Sequence, residues 1–339
     1  MGRAPCRVRT YHENVVSPQA PRVTDVTEAT PVARTPASRA RPSRQGPPGE
    51  PRRVAYLYIL PAFVFFAGFM AWPLLHGFWL TFYEWNGLTL GTWVGLDNYH
   101  AVLTDPELRE PFGHSLILVI FFSVIPIVLG LTLAGLMMRA RLRGMPFFRT
   151  VLFLPQVIAM VVVAIAWGHI YEPDGPLNDL LRTLGLDDLT QVWLGDPSWA
   201  LVSVGIVGTW VGTGLCLILF LAGLSKVPRE LYESARLDGA GAVREFLNVG
   251  LPALRGELAV AATLTMIAAL RTFDLVYVMT PGGGPSGSTS VPSYEVYKRA
   301  FIDGEVGTAV TVAIVLTAII LLVTIGINRF AERGDEVRL

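Results

Sequence analysis

The chain has 339 residues, 52% of them hydrophobic and only 16% charged, with a mean hydropathy of +0.48. Soluble globular domains carry about 25% charged residues, so this composition, gathered into long apolar blocks, points to the bilayer. Basic and acidic residues number 27 each and the net charge is +0, which excludes the global basic bias that nucleic-acid binding requires.

Residues 1–53 hold ten arginines, nine prolines and four acids with almost no bulky apolar side chains. Such a segment buries too little surface to offset its ordering entropy, and a disordered tail is expected. It is too polar and too long for the charged end of a signal peptide, and no small-residue cleavage pattern follows the first apolar block. Six apolar stretches come next, at 54–76, 114–138, 151–171, 200–224, 258–278 and 308–327. Each is near the ~20 residues that cross a hydrocarbon core, so the expected fold is all-α, a six-helix membrane domain over 54–329 with a short tail at 330–339. Pro61, Pro73, Pro126 and Pro155 fall in or near these helices, which membrane helices tolerate because neighbours re-satisfy the freed carbonyls.

Charge sets the orientation. The N-terminal tail, the 139–150 and 225–257 segments and the C-terminal tail hold ten, four, five and three Lys or Arg. The alternate segments 84–113, 172–199 and 279–308 hold one, one and two. The positive-inside rule therefore places both termini in the cytoplasm. Trp85, Trp93 and Tyr99 in one outer segment and Trp193 and Trp199 in another suit headgroup-level anchors or a docking surface for an external protein.

The 225–256 segment is the distinctive one. Leu231, Ala235, Ala242, Phe246 and Val249 recur at helical spacing. Pro228 suits a first helical turn, Asp238 suits the N-cap of a second short helix after a bend at Gly239 and Gly241, and Pro252 ends the run. By itself this pattern fits an interfacial amphipathic linker. The order Glu233-Ser234-Ala235, Asp238-Gly239-Ala240, Phe246 and Leu251-Pro252 further resembles the EAA loop of the membrane subunits of ABC importers. Ser234 stands where that family commonly has a second alanine, and Gly256 where a second proline is common. The segments Thr81–Asn86, Val94–Tyr99, Arg149–Pro155 and Phe273–Thr280 with Gly282–Pro285 are similar to the sugar-importer branch, and to the upstream type of its two permeases. The resemblance covers about residues 52 to 335.

It implies a permease that shares the translocation path with a second, different permease, two ATP-binding cassette subunits and an extracytoplasmic solute-binding protein, in a bacterial cytoplasmic membrane. Glu233 and Ala235 would then face the ATPase cleft, Asp238 and Gly239 would make the bend and Phe246 would pack the second helix, with Ser234, Ala240 and Pro252 completing the coupling set.

The chemistry absent from the chain agrees. There is no G-x-x-x-x-G-K-[ST] loop for ATP and no H-E-x-x-H, C-x-x-C or G-x-S-x-G motif, so no enzyme and no cofactor is expected in this chain. Cys6 and Cys216 stand apart, one in the tail and one in an apolar block. Arg271 and Asp274 lie three apart in the fifth stretch, on one helical face. Intramembrane charges pair, contact a partner or line a pathway. Gln156, Asn178, Trp210, Thr213 and Tyr277 offer amides, a hydroxyl and aromatic faces to a sugar. An importer of another solute such as glycerol 3-phosphate, an ion-coupled secondary transporter and a non-transporting scaffold are the alternatives. Asp274 stands nearly alone as an intramembrane carboxylate, which argues against ion coupling.

Overall fold

The computed structural model describes residues 52–139 and 144–335. The expected disordered tail, apart from residues 52 and 53, lies outside the described residues, as do 140–143 and 336–339. Residues from Leu60 onward form one compact unit.

Among the described residues, five helices are long and apolar enough to cross a bilayer: Tyr56–Leu80, Pro106–Met138, Pro197–Leu224, Arg255–Met279 and Val306–Ala331. They are the first, second, fourth, fifth and sixth spans. Where the sequence predicts a continuous third helix over 151–171, two helices stand instead, Met145–Val157 and Met160–Ile170, bent by 99°. Ile158 and Ala159 between them are extended, with ψ of 137° and 132°. Pro155 lies inside the first piece, buried. It withholds a backbone N–H and crowds the turn before it, yet the helix runs on through it to Val157, so the break lies after the proline.

The other prolines are absorbed differently. Pro73 and Pro126 follow five-residue π turns at Ala67–Ala71 and Ile120–Val124, where the widened turn takes up the missing bond. The second span begins at Pro106, behind an Asp105 N-cap whose Oδ1 accepts from the Glu107 amide at 3.0 Å. That is a turn or two earlier than hydropathy alone indicates.

The fourth span is the central helix. Half of its most apolar window is buried, against none of the corresponding window of the first. Its glycines let neighbours approach, as expected where lipid supplies no driving force between apolar helices. The facing glycine on the second span, Gly130, is buried, and a Cβ built there would lie 2.7 Å from Cys216 Cβ and 3.1 Å from the Cys216 carbonyl carbon. Gly130→Ala is therefore expected to force these helices apart and destabilise the protein by about 1–3 kcal/mol. A fall in the detergent thermal midpoint of the purified protein checks this, and an unchanged midpoint contradicts it.

At the end opposite the 225–254 loop, Tyr83–Glu84 (β1) and Thr92–Trp93 (β2) form a small antiparallel hairpin. Asn98 fastens it: its Nδ2 donates to the Thr81 and Tyr83 carbonyls at 2.8 and 3.0 Å, and its Oδ1 accepts from Thr308 Oγ1 at 3.3 Å. The first span thus leans on the sixth, with Gly77 beside Val310, while Phe69 and Trp72 stay 79% and 68% exposed.

Candidate functional site

Two regions hold most of the residues singled out by sequence. The first is the loop between the fourth and fifth spans. Helix Arg229–Leu237 follows Pro228, its N-cap. It ends in a Schellman cap: the Ala240 amide donates to the Ala235 carbonyl at 2.9 Å and the Gly239 amide to the Arg236 carbonyl at 3.0 Å. Gly239 has φ +79°, the left-handed conformation that only glycine adopts without strain. Asp238 is the C-cap of this helix. The expected N-cap role falls instead to Gly241, ahead of Ala242–Glu245, because the chain needs two further residues to reverse after the left-handed glycine. Pro252 does not end the run either. It sits inside Leu251–Ala253, after a π turn at Phe246–Gly250, and the chain turns at Leu254 into the fifth span.

The predicted apolar stripe is not the buried face, since Leu231 and Ala242 are exposed. Tyr232 and Glu245 are buried in their place. Glu245 Oε2 and Oε1 accept from Arg236 Nε and Nη2 at 3.1 and 3.0 Å, a fork geometry that joins the two helices. Burial, and then the Glu245 charge, push the Tyr232 phenol above its ordinary value. Periodicity could not find this pair, because it reads Glu245 as one more solvated charge; an Arg and a Glu on either side of a glycine bend were the available signal.

Glu233 and Ser234 are exposed and Ala235 is half-buried. Glu233 and Ala240 border a recess of about 950 Å³ with Tyr232, Arg236 and Glu245. Phe246 packs on the core below, against Gly135 and Gly250. The Lys226 ammonium donates to Glu257 Oε1 at 3.0 Å across the ends of the loop.

The second region is a cavity of about 410 Å³ among the broken third helix and the fourth and fifth spans, with Phe122 of the second. It brings together Gln156, Arg271 and Asp274. The fifth helix breaks here: Arg271 caps Arg255–Leu270, and Asp274 starts a new helix after Phe273 at φ −137°. The two charges are therefore not on one continuous helical face, and no ion pair within 4.0 Å joins them among the described residues. Both are exposed, as is Ala268 beside them.

Four sequence candidates do not reach this cavity. Trp210 stacks edge-on against Trp167 at 5.6 Å, and Thr213 is buried with its hydroxyl on the Thr209 carbonyl at 2.7 Å. Tyr277 belongs to an aromatic group with Phe273 and Tyr297. Asn178 is spent inside an end loop, donating to the Pro173 and Gln191 carbonyls and accepting from Trp193 Nε1. Sequence reading passed over Gly208, Gly212 and Thr265, which line the cavity. The small residues of the fourth span, Gly205, Gly208 and Gly212, were the legible signal. Thr265 is anchored by a 2.7 Å hydrogen bond with Ser123.

Comparison with known proteins identifies the architecture. Residues 107–334 match the family described as binding-protein-dependent transport system inner membrane component. The chain belongs to this family. The permease is 36% identical over 286 residues to the probable ABC transporter permease protein YurN of Bacillus subtilis, covering 84% of this chain and 97% of that protein. It is 30% identical over 330 residues to the diacetylchitobiose uptake system permease protein NgcF of Streptomyces coelicolor, covering 90% and 92%. In fold it matches a chain of a bacterial alginate ABC transporter, solved in complex with an alginate pentasaccharide-bound periplasmic protein. The TM-score is 0.71 at 20% identity, over 83% of this permease and 94% of that chain. The protein is thus a multi-pass membrane permease of the carbohydrate-uptake type of ABC importer, and its relatives are transport permeases rather than enzymes.

Proposed function

We propose that this chain is one of two different permeases in an ATP-driven sugar importer of the bacterial cytoplasmic membrane. In this reading the loop around Glu233 and Gly239 couples it to ATP-binding cassette subunits. The observation that carries the proposal is the loop itself: two short helices locked by the Arg236–Glu245 fork and a left-handed Gly239, with Glu233 exposed at the rim of a recess. A rigid, solvent-facing element of this kind transmits motion as a body, which a slack linker does not. The basic-residue pattern of the sequence puts this end, and both termini, in the cytoplasm. Even parity counts the bent pair 145–157 and 160–170 as one crossing, giving six.

Two further features support the partners. The first span exposes its apolar face, and Arg271 and Asp274 stand at membrane depth with no ion pair among the described residues, which a second permease would cover and complete. The cavity of about 410 Å³ falls within the range of small-molecule sites and offers amide, hydroxyl and balanced charged groups. One arginine against one aspartate favours a neutral sugar over a phosphorylated solute such as glycerol 3-phosphate. By analogy with the alginate system, the solute arrives on an extracytoplasmic binding protein. ATP is held by the partner subunits, and differential affinity of the two cavity states moves the solute.

Affinity purification of the tagged chain from its native membrane in mild detergent, with mass spectrometry, tests the assembly. Recovery of an ATPase subunit, a second permease and an extracytoplasmic solute-binding protein is expected. A chain that purifies alone, even after crosslinking, overturns the importer reading.

A further inference from the structure

A second groove, of about 800 Å³, opens at the loop end of the bundle, between the second, fifth and sixth spans. Ile127, Leu258, Ala262, Ile327 and Phe330 make its walls, and it lies apart from the solute cavity. Nothing fills it at Gly326, where an added Cβ would meet no atom within 4 Å. Among the described residues that line it, the one polar side chain is Arg255, the first residue of the fifth span and so at headgroup depth.

Arg255 is exposed and has no carboxylate within 4.0 Å among the described residues. Glu257, two residues further on, is engaged by Lys226 at 3.0 Å. A sugar finds no hydrogen-bonding frame on walls of this kind, and a polar peptide finds none either. An acyl chain matches the apolar walls, and a phosphate matches the exposed Arg255 guanidinium, which binds such groups through a planar fork. Basic pockets between spans at the cytoplasmic side are a known setting for anionic headgroups.

We propose that this groove holds one anionic phospholipid, its phosphate on Arg255 and an acyl chain along Ala262 and Gly326. The occupant sits against the root of the coupling loop. Leu254, buried at the end of that loop, packs on Gly223, and Lys226–Glu257 ties its two ends together. Lipid bound there stiffens the root through which the loop would move the spans; this last consequence rests on the proposed importer function, whereas the binding does not.

The test uses the complex as extracted from native membranes, exchanged into vesicles of phosphatidylcholine with phosphatidylglycerol. Native mass spectrometry counts the lipids each protein retains. Arg255→Gln is expected to lower retained phosphatidylglycerol at this site at least about tenfold, the loss of a charge-assisted bidentate contact. Gly326→Leu, on an open surface, is expected to do the same by filling the groove. Retention of phosphatidylglycerol at wild-type level by both variants overturns the site, as does equal retention of phosphatidylcholine in its place. Quantitative disulfide crosslinking of Ile327→Cys to the second permease also overturns it, since a protein then covers the groove. Loss of retained phosphatidylglycerol in both variants with ATPase coupling intact supports the site and removes only its consequence for coupling.

Discussion

Gly239→Pro is expected to yield an assembled or nearly assembled transporter whose ATPase runs without import. The reason is local. Gly239 holds φ +79° and its amide closes the cap of the preceding helix onto the Arg236 carbonyl. Proline fixes φ near −65° and has no amide to donate, so the bend cannot survive, at a cost of about 3 kcal/mol or more. The Arg236–Glu245 fork spans the same bend, and losing it separates the helix that carries Glu233 from the one that follows. The spans themselves do not depend on residue 239, because an added Cβ there meets nothing within 4 Å. Gly239→Ala retains the amide and pays only the left-handed strain of about 1–2 kcal/mol, so a smaller import defect is expected. Uptake by reconstituted vesicles, measured with ATP hydrolysis on the same preparation, checks both. Normal uptake by the proline variant would remove the coupling assignment.

Ala268→Trp is expected to abolish import by the opposite route, leaving the coupling loop untouched. Ala268 is exposed on the cavity wall beside Arg271, in a space of about 410 Å³. An indole projects into that space without displacing a buried neighbour, so the thermal midpoint should hold. It competes directly with the solute, whose ring would otherwise occupy the same volume. At least a tenfold fall in uptake corresponds to only about 1.4 kcal/mol of lost binding, and one steric exclusion readily exceeds that. Uptake of the solute carried by the co-purified binding protein is the measurement, and basal ATP hydrolysis should be retained. Full uptake with a correctly folded variant would show that this cavity is not on the path.

The two variants separate two links of one chain of cause. The first breaks the proposed transmission between ATP hydrolysis and the spans, and the second blocks what the spans carry. A variant carrying both should look like the second in uptake and like the first in its loss of coordination.

Much of this molecule was legible in the residues. Apolar length alone located the spans, because a bilayer imposes one dimension on every crossing helix. The order from Glu233 to Pro252 located the loop. Tertiary structure decided the rest. Pro155 is absorbed within its helix as expected, yet the chain breaks outright after it at Ile158 and Ala159, a turn that apolar length does not register. Asp238 has the side chain of an N-cap and serves as a C-cap, because the left-handed Gly239 and its two cap hydrogen bonds fix where the first helix stops. Arg271 and Asp274 are three apart in sequence but belong to two helices, so helical spacing could not describe them. Trp210, Thr213 and Tyr277 carry suitable chemistry and point elsewhere. Which side chains share a cavity is set by how helices rotate and approach, and that in turn by close contacts such as Gly130 on Cys216. Local sequence carries length, polarity and bend; packing between segments far apart in the chain carries orientation.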